Sequence, residues 1–440
     1  IAIAGAGIAG LHAAHILNKS NIRVQVFEAS KRPGGRMMSA HNLVAEGTTT
    51  ELGGEFIDSS HIDILNLCRE FDLPLIDTYA ESETGLIRDA FFFNGSSYTE
   101  EDVIHAFSPY SNRIQNDIDS LPDEISYRSV EPVSADMMSV AEYLQSMGME
   151  GWLYKLFEAA YIGEYGLELE RQSALNFLYL FDPDVSEGFH VFGDSDERYK
   201  IKGGNDQLPA KLAAAMKDQI SYEYQLESIS GHGNKYKLSF SNGKEVTADF
   251  VVIALPFTIL RSMKMDIGLS PVKKKCIQEL GYGTNSKLFA GYTERSWRSQ
   301  GFQGFVFSDA FQNGWESSQL QNNNQGPASY TFFMGGAKGE SLKKQDYPAF
   351  VEHLNKVFPD SAGKYNGRHA AFNWPSFPLV KASYTCYMPG QYTSIGGAES
   401  EPAGNVFFAG EHCSFEFQGF MNGAAETGRQ AAEMILSRLD

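Results

Sequence analysis

The sequence predicts an α/β protein in which a dinucleotide-binding domain of parallel strands and helices is joined to a second domain of α+β type. Two observations lead there. A glycine-rich turn, Gly5-Ala6-Gly7-Ile8-Ala9-Gly10, lies between an apolar strand and an apolar-periodic helix at the start of the chain. Farther on, a mainly helical stretch from about 60 to 197 gives way to strand-like runs between about 257 and 381. With 440 residues the chain is too long for one compact core, so two or three domains are expected.

The opening unit has a mechanical logic. Ile1-Ala2-Ile3-Ala4 is a short apolar strand, Leu11 to Asn18 a helix, and Arg23 to Phe27 a second strand that ends at Glu28. Gly5 permits the tight turn, Gly7 lets the backbone approach a pyrophosphate, and Gly10 lets helix pack on strand. The pyrophosphate would sit at the helix start, around Ile8 and Ala9, where free N–H groups and the helix dipole favour negative charge. Glu28 is placed to accept hydrogen bonds from ribose hydroxyls. At this level NAD and FAD both remain open.

Bulk properties narrow the field. Hydrophobic residues make up 42% and charged residues 21%, a globular composition that argues against disorder. The net charge of −19 argues against nucleic-acid binding, which needs a basic footprint, and mildly favours cationic ligands. Four scattered cysteines, Cys68, Cys276, Cys386 and Cys413, have no metal-ligand spacing, so unpaired buried thiols are expected and no metal. No apolar run approaches the ~20 residues that span a bilayer. The expectation is a soluble protein. Because Ile1 already lies in a strand, any export signal would be upstream, and cytoplasm and export are both left open, as is a homodimer.

Three stretches carry a family resemblance. Glu28-Ala-Ser-Lys-Arg32-Pro-Gly34-Gly35-Arg36 resembles the signature of the glutathione-reductase-type flavoproteins, the branch that holds amine oxidases, phytoene desaturases and protoporphyrinogen oxidases. Glu51-Leu-Gly53-Gly54-Glu55-Phe56-Ile57-Asp58 is similar to the segment whose backbone passes the flavin's reactive edge. Asn405-Val-Phe-Phe-Ala409-Gly410-Glu411-His412, followed by Gln418-Gly419-Phe420-Met421-Asn422-Gly423, resembles the C-terminus of the flavin amine oxidases. The pattern covers essentially the whole chain, most specifically residues 1–58, 200–256 and 374–439.

The resemblance implies the amine oxidase fold, with FAD bound by residues 1–72, 198–256 and 383–440 and substrate by 73–197 and 257–382. Arg36 would supply a donor fork for phosphate and Leu226 backbone bonds to adenine. Glu411 would accept from the ribityl chain, and N–H groups around Gly419, Phe420, Met421 and Asn422 would face the flavin's pyrimidine oxygen. Lys287 alone reads as an edge-strand lysine; the resemblance gives it a water near flavin N5 and a part in the reaction with oxygen. Trp374 would pack beside the isoalloxazine, and Tyr384 and Phe420 would form an aromatic slot. Serine at 383 stands where covalent family members carry the flavin-linking cysteine, which implies non-covalent FAD.

The implied reaction is oxidative deamination of a primary or secondary amine with dioxygen as acceptor. An L-amino acid oxidase is the nearest alternative, and a carbon–carbon desaturase, a porphyrinogen-type oxidase or a non-catalytic flavin-binding protein are more distant ones. Phe56 stands where venom-type L-amino acid oxidases place the carboxylate-binding arginine, and Glu55 adds negative charge; both lean towards an amine. Arg171 and Arg198 are the candidates for an alternative carboxylate anchor. From Phe257 to Lys381 an antiparallel sheet is expected as a ceiling over the flavin.

Overall fold

The computed structural model describes residues 1–439. Its first sheet is five-stranded and wholly parallel, in the order Val406–Phe408, Val251–Ile253, Ala2–Ala4, Gln25–Glu28, Ile220–Tyr222. Strands from the two ends of the chain and its middle therefore lie side by side. Ala2–Ala4, Val251–Ile253 and Val406–Phe408 are buried at every position, as expected of parallel strands covered on both faces.

The helix Ile8–Lys19 follows the first strand and packs on the C-terminal helix Met421–Leu439. Their closeness has a local cause: a Cβ on Gly428 would lie 2.2 Å from the Ala9 carbonyl oxygen. Glycine there lets the last helix approach the first. A smaller four-stranded sheet, which includes Leu226–His232 and Lys235–Phe240, flanks this region.

The second large sheet has seven strands, in the order Tyr365–Asn373, Ser286–Tyr292, Ala328–Met334, Gln312–Glu316, Phe302–Ser308, Ile87–Phe93, Ser96–Tyr98. It is mixed, which corrects the antiparallel expectation: Phe302–Ser308 pairs in parallel with Ile87–Phe93. That strand comes from the stretch read as mainly helical, and Arg88-Asp-Ala-Phe-Phe-Phe93 lacks the alternation that would have marked it. The helices Glu100–Asp119 and Gly151–Tyr165 build a separate aromatic core beside the sheet around Phe107, Phe157, Phe177 and Phe181. Helix Gly151–Tyr165 ends at Gly166 with φ +74°, the left-handed turn that glycine adopts without strain. The turn leaves Glu164 and Tyr165 at the boundary between the two sheets.

Candidate active site

A long cavity runs between the parallel sheet and the mixed sheet, and most of the sequence-predicted residues line it. At one end are Gly5, Gly7, Ile8, Ala9, Glu28, Arg32, Arg36 and Leu226. Towards the mixed sheet are Gly53, Gly54, Glu55, Phe56, Lys287, Trp374, Tyr384, Glu411, Gly419, Phe420 and Met421. Two predicted residues lie outside it. Gly10 is a packing position, where a Cβ would meet the Gly5 carbonyl oxygen at 2.1 Å. Asn422 is buried, and its Oδ1 accepts from the Ile64 amide at 3.1 Å, so its side chain braces a neighbouring helix.

The end at the glycine turn is backbone-built. A Cβ on Gly7 would have no atom within 4 Å, so the turn leaves open room for a ligand. Glu28 accepts from the amides of Ala6 and Ser30, both at 2.8 Å, which fixes its carboxylate against the turn. Arg36 donates through Nη1 to Glu411 at 2.8 Å and to the Ser383 carbonyl at 2.7 Å. Burial would push the Glu411 carboxyl up, but the Arg36 guanidinium overcomes it and holds Glu411 below its ordinary value. Glu411 also accepts from the Gly419 amide at 2.9 Å, which ties the C-terminal loop to the same ion pair.

The middle of the cavity is framed by the Gly53-Gly54 segment. A Cβ on Gly53 would fall 1.8 Å from the Arg36 carbonyl oxygen and 3.0 Å from the Trp374 ring. Trp374 lies against it and donates from Nε1 to the Leu52 carbonyl at 2.9 Å. A Cβ on Gly419 would sit 3.8 Å from the Tyr384 ring, which donates its hydroxyl proton to the Gly163 carbonyl at 3.1 Å. Lys287 is a buried residue of a central strand, not an exposed edge residue. Its Nζ donates to the carbonyls of Glu51 at 3.1 Å and Gly53 at 2.9 Å, and to Glu55 Oε2 at 2.9 Å. In register Lys287 is opposite Phe333, which is opposite Asn313; Trp315, two residues on, shares their face.

At the far end three acids converge. Asp58 accepts from Ser195 Oγ at 2.7 Å and from the Glu197 amide at 3.0 Å, and Glu197 pairs with Arg88 at 2.5 Å. Glu164 lines the same space beside Tyr165, Asp58 and Glu197. Burial pushes the Glu164 carboxyl up to about 8, and the negative charges of Glu197 and Asp58 add to the effect. Burial likewise takes Glu197 to about 7 despite Arg88. Glu55 is not part of this group. Its carboxylate is held between Lys287 and, at 3.6 Å, Lys200, so it is not free to attract a cation as the sequence suggested.

The two proposed carboxylate anchors are elsewhere. Arg198 pairs with Asp77 at 3.0 and 2.8 Å, Arg171 is exposed, and neither lines the cavity. Among the described residues the arginines that do are Arg32 and Arg36, both on the side of the glycine turn. Sequence reasoning missed Glu197, Trp315, Phe333 and His412 as lining residues. Trp315 and Phe333 were within reach of the alternation along two adjacent strands; Glu197 and His412 carry no local signal.

Residues 8–436 match the family described as flavin containing amine oxidoreductase. The chain belongs to that family. It is 24% identical to an L-amino acid dehydrogenase of Synechocystis sp. across 99% of this chain and 94% of that protein. It is likewise 24% identical to the flavin-containing amine oxidase A of Sus scrofa, across 100% of this chain and 85% of that one. In fold it resembles the cyclohexylamine oxidase of Brevibacterium oxydans, with TM-score 0.87 at 21% identity over 100% of this chain and 98% of that one. A putrescine oxidase solved with putrescine gives TM-score 0.86 at 19% identity, covering 99% and 98%.

Membership implies a flavin, and the cavity fits one. Gly7 leaves its wall open, the Ile8 and Ala9 helix start faces it, and buried His412 lines it with both ring nitrogens free of protein partners. Among the described residues no helix is long and apolar enough to cross a membrane, and no cluster of metal-ligating side chains is present.

Proposed function

We propose that the protein is an FAD-dependent oxidase that deaminates a primary or secondary amine, with dioxygen reduced to hydrogen peroxide. The observation that carries the reading is the polarity of the substrate end. Glu164, Asp58 and Glu197 line it beside Phe56, and the arginines of the cavity are confined to the other end. A buried carboxylate ligand there would face three acids, deepen the penalty that already pushes two of them up, and lack a bidentate partner, at a cost of several kcal/mol. A cationic amine would instead meet Glu164, whose ionised form it would stabilise.

When bound, FAD would supply the two-electron oxidation of the amine to an imine, which water hydrolyses, with dioxygen as the final acceptor. This chain's residues orient and desolvate. Tyr384, Phe420, Trp315 and Phe333 supply ring faces that exclude water and hold an alkyl amine. Glu164 at about 8 is a proton acceptor matched to an ammonium that must reach neutrality before it reacts.

Non-covalent attachment is part of the proposal. Ser383 Oγ donates to Asn285 Oδ1 at 2.6 Å, and buried Cys386 lies outside the cavity lining. Acid precipitation should release the yellow colour into the supernatant; colour retained in the pellet would contradict this.

Anaerobic mixing with a primary amine should bleach the flavin, and the parent L-amino acid should bleach it far more slowly. No bleaching by any amine or amino acid would favour a flavin-binding protein without turnover. Faster bleaching by the acids would overturn the amine assignment.

A further inference from the structure

We infer that Glu55 is a positioning residue that clamps Lys287 and damps the reaction of the reduced protein with dioxygen. The inference rests on the flavin assignment of the cavity but not on the identity of the amine.

A lysine ammonium has three protons to donate. In this chain all three have protein acceptors: the carbonyls of Glu51 and Gly53, and the carboxylate of Glu55. No donor is left over for a water or for an oxygen species in the cavity. The two carbonyl bonds are intrinsic to the path of the Gly53-Gly54 segment. The third is a side-chain choice, and it also brings a negative charge to 2.9 Å from Nζ.

That charge matters for the half-reaction with dioxygen. Dioxygen takes up two electrons and two protons to leave as hydrogen peroxide, and the first electron makes it an anion. A positive charge lining a buried site stabilises that anion, the more so where the dielectric is low. A carboxylate in contact with Lys287 and shared with Lys200 offsets part of the positive charge of the pair, so the field at the cavity is weaker than that of the unpaired ammoniums.

The arrangement is a built one. Lys287 and Glu55 are both buried, with side-chain exposures of 5% and 3%. Oε1 of Glu55 has no hydrogen-bond partner and faces Lys200 Nζ at 3.6 Å, while Lys200 donates to the Ser317 carbonyl at 3.0 Å. The Glu55 carboxylate is therefore held from both sides, with Lys287 making the direct bond. Lys287 and Lys200 also lie near the Trp315 and Phe56 rings, at 5.3 Å each from the ring centres, which limits where either ammonium can move.

The test separates charge from donor occupancy. Glu55→Gln removes the charge and keeps an acceptor; Glu55→Ala removes both. Holoprotein is reduced with dithionite, so no amine is involved, and mixed with oxygenated buffer while flavin absorbance is followed. Reoxidation should accelerate about tenfold in Glu55→Gln and more in Glu55→Ala. Adding Lys287→Met to Glu55→Ala should cancel the gain. Sulfite titration gives a readout independent of turnover. An unmasked cation should tighten the flavin–sulfite adduct in both Glu55 variants, again by about tenfold. Should Glu55→Ala lose its flavin, Glu55→Gln alone carries the test. Unchanged reoxidation and unchanged sulfite affinity in flavin-replete Glu55→Gln would overturn the inference and leave Glu55 as a packing anchor. Failure of every amine as substrate would bear on the proposed function and leave this result standing.

Discussion

The two ends of the cavity are built by opposite means. The nucleotide end is made of backbone: a strand, a glycine turn, a helix start and a second strand, contiguous in sequence and closed over by one C-terminal helix. The substrate end is made of side chains gathered from far apart: Asp58 from the Gly-Gly segment, Glu164 from a helix end, Glu197 from a loop, Trp315 and Phe333 from adjacent strands. Backbone sites tolerate little change in residue type because the chain path itself is the binding surface. Side-chain sites can change specificity without disturbing the fold.

The largest expected effect tests that contrast within the glycine turn. Gly10→Val places its Cβ 2.1 Å from the Gly5 carbonyl oxygen, a backbone atom that no side-chain rotation can move away. We expect little soluble yellow protein. Gly7→Ala should behave differently. Gly7 has φ −70°, which alanine accepts, and its Cβ would meet nothing within 4 Å. It should fold with a melting temperature near wild type yet bind FAD about tenfold or more weakly, as read by flavin release on dilution. Equal flavin affinity in Gly7→Ala would mean that the open wall at Gly7 is not where the cofactor passes.

At the other end, Glu164→Gln should leave flavin binding intact and lower kcat/KM for the amine by roughly tenfold to a hundredfold, the usual range for a charge-assisted contact. The pH dependence has a definite sign. With the carboxyl pushed up to about 8, wild-type affinity for a cationic amine should improve as pH rises through about 8, and Glu164→Gln should lack that limb. Stability runs the other way. The folded state holds a proton on Glu164 that the unfolded chain releases near its ordinary value of 4.5, so this group's stabilising contribution is lost as pH rises from there to about 8. Thermal unfolding should therefore show Glu164→Gln gaining on wild type at pH 9 and matching it at pH 4. A parallel pair of curves would place Glu164 in contact with solvent.

The smallest effect concerns Arg198. Bonded to Asp77 outside the cavity, it should be replaceable by alanine with less than about twofold change in the ratio of amine to amino acid turnover. A larger, selective loss with amino acids would revive it as a carboxylate anchor.

The same contrast explains what could be read beforehand. Gly5, Gly7, Gly10 and Glu28 declared themselves because a turn, a close approach and an acid at fixed spacing need neighbours in sequence. The strand Ser286–Tyr292 falls within the stretch read as strand-like. Ile87–Phe93 was not read so, because its apolar run has no period and its parallel partner lies more than two hundred residues away. Glu55 was legible as a motif member, but its pairing with Lys287 joins positions 232 residues apart and appears only once the mixed sheet lies over the Gly53-Gly54 segment. Arg198 illustrates the reverse error: a charge that sequence leaves free is already paired, here by Asp77.

The central claim is that the substrate end selects for positive charge. Steady-state kcat/KM measured for each L-amino acid and for the amine left by its decarboxylation tests it most directly, since the pairs differ only in the carboxylate. The amine should be preferred across the panel, by about tenfold or more, with the margin shrinking in Glu164→Gln. A consistent preference for the amino acids, unchanged by Glu164→Gln, would contradict it.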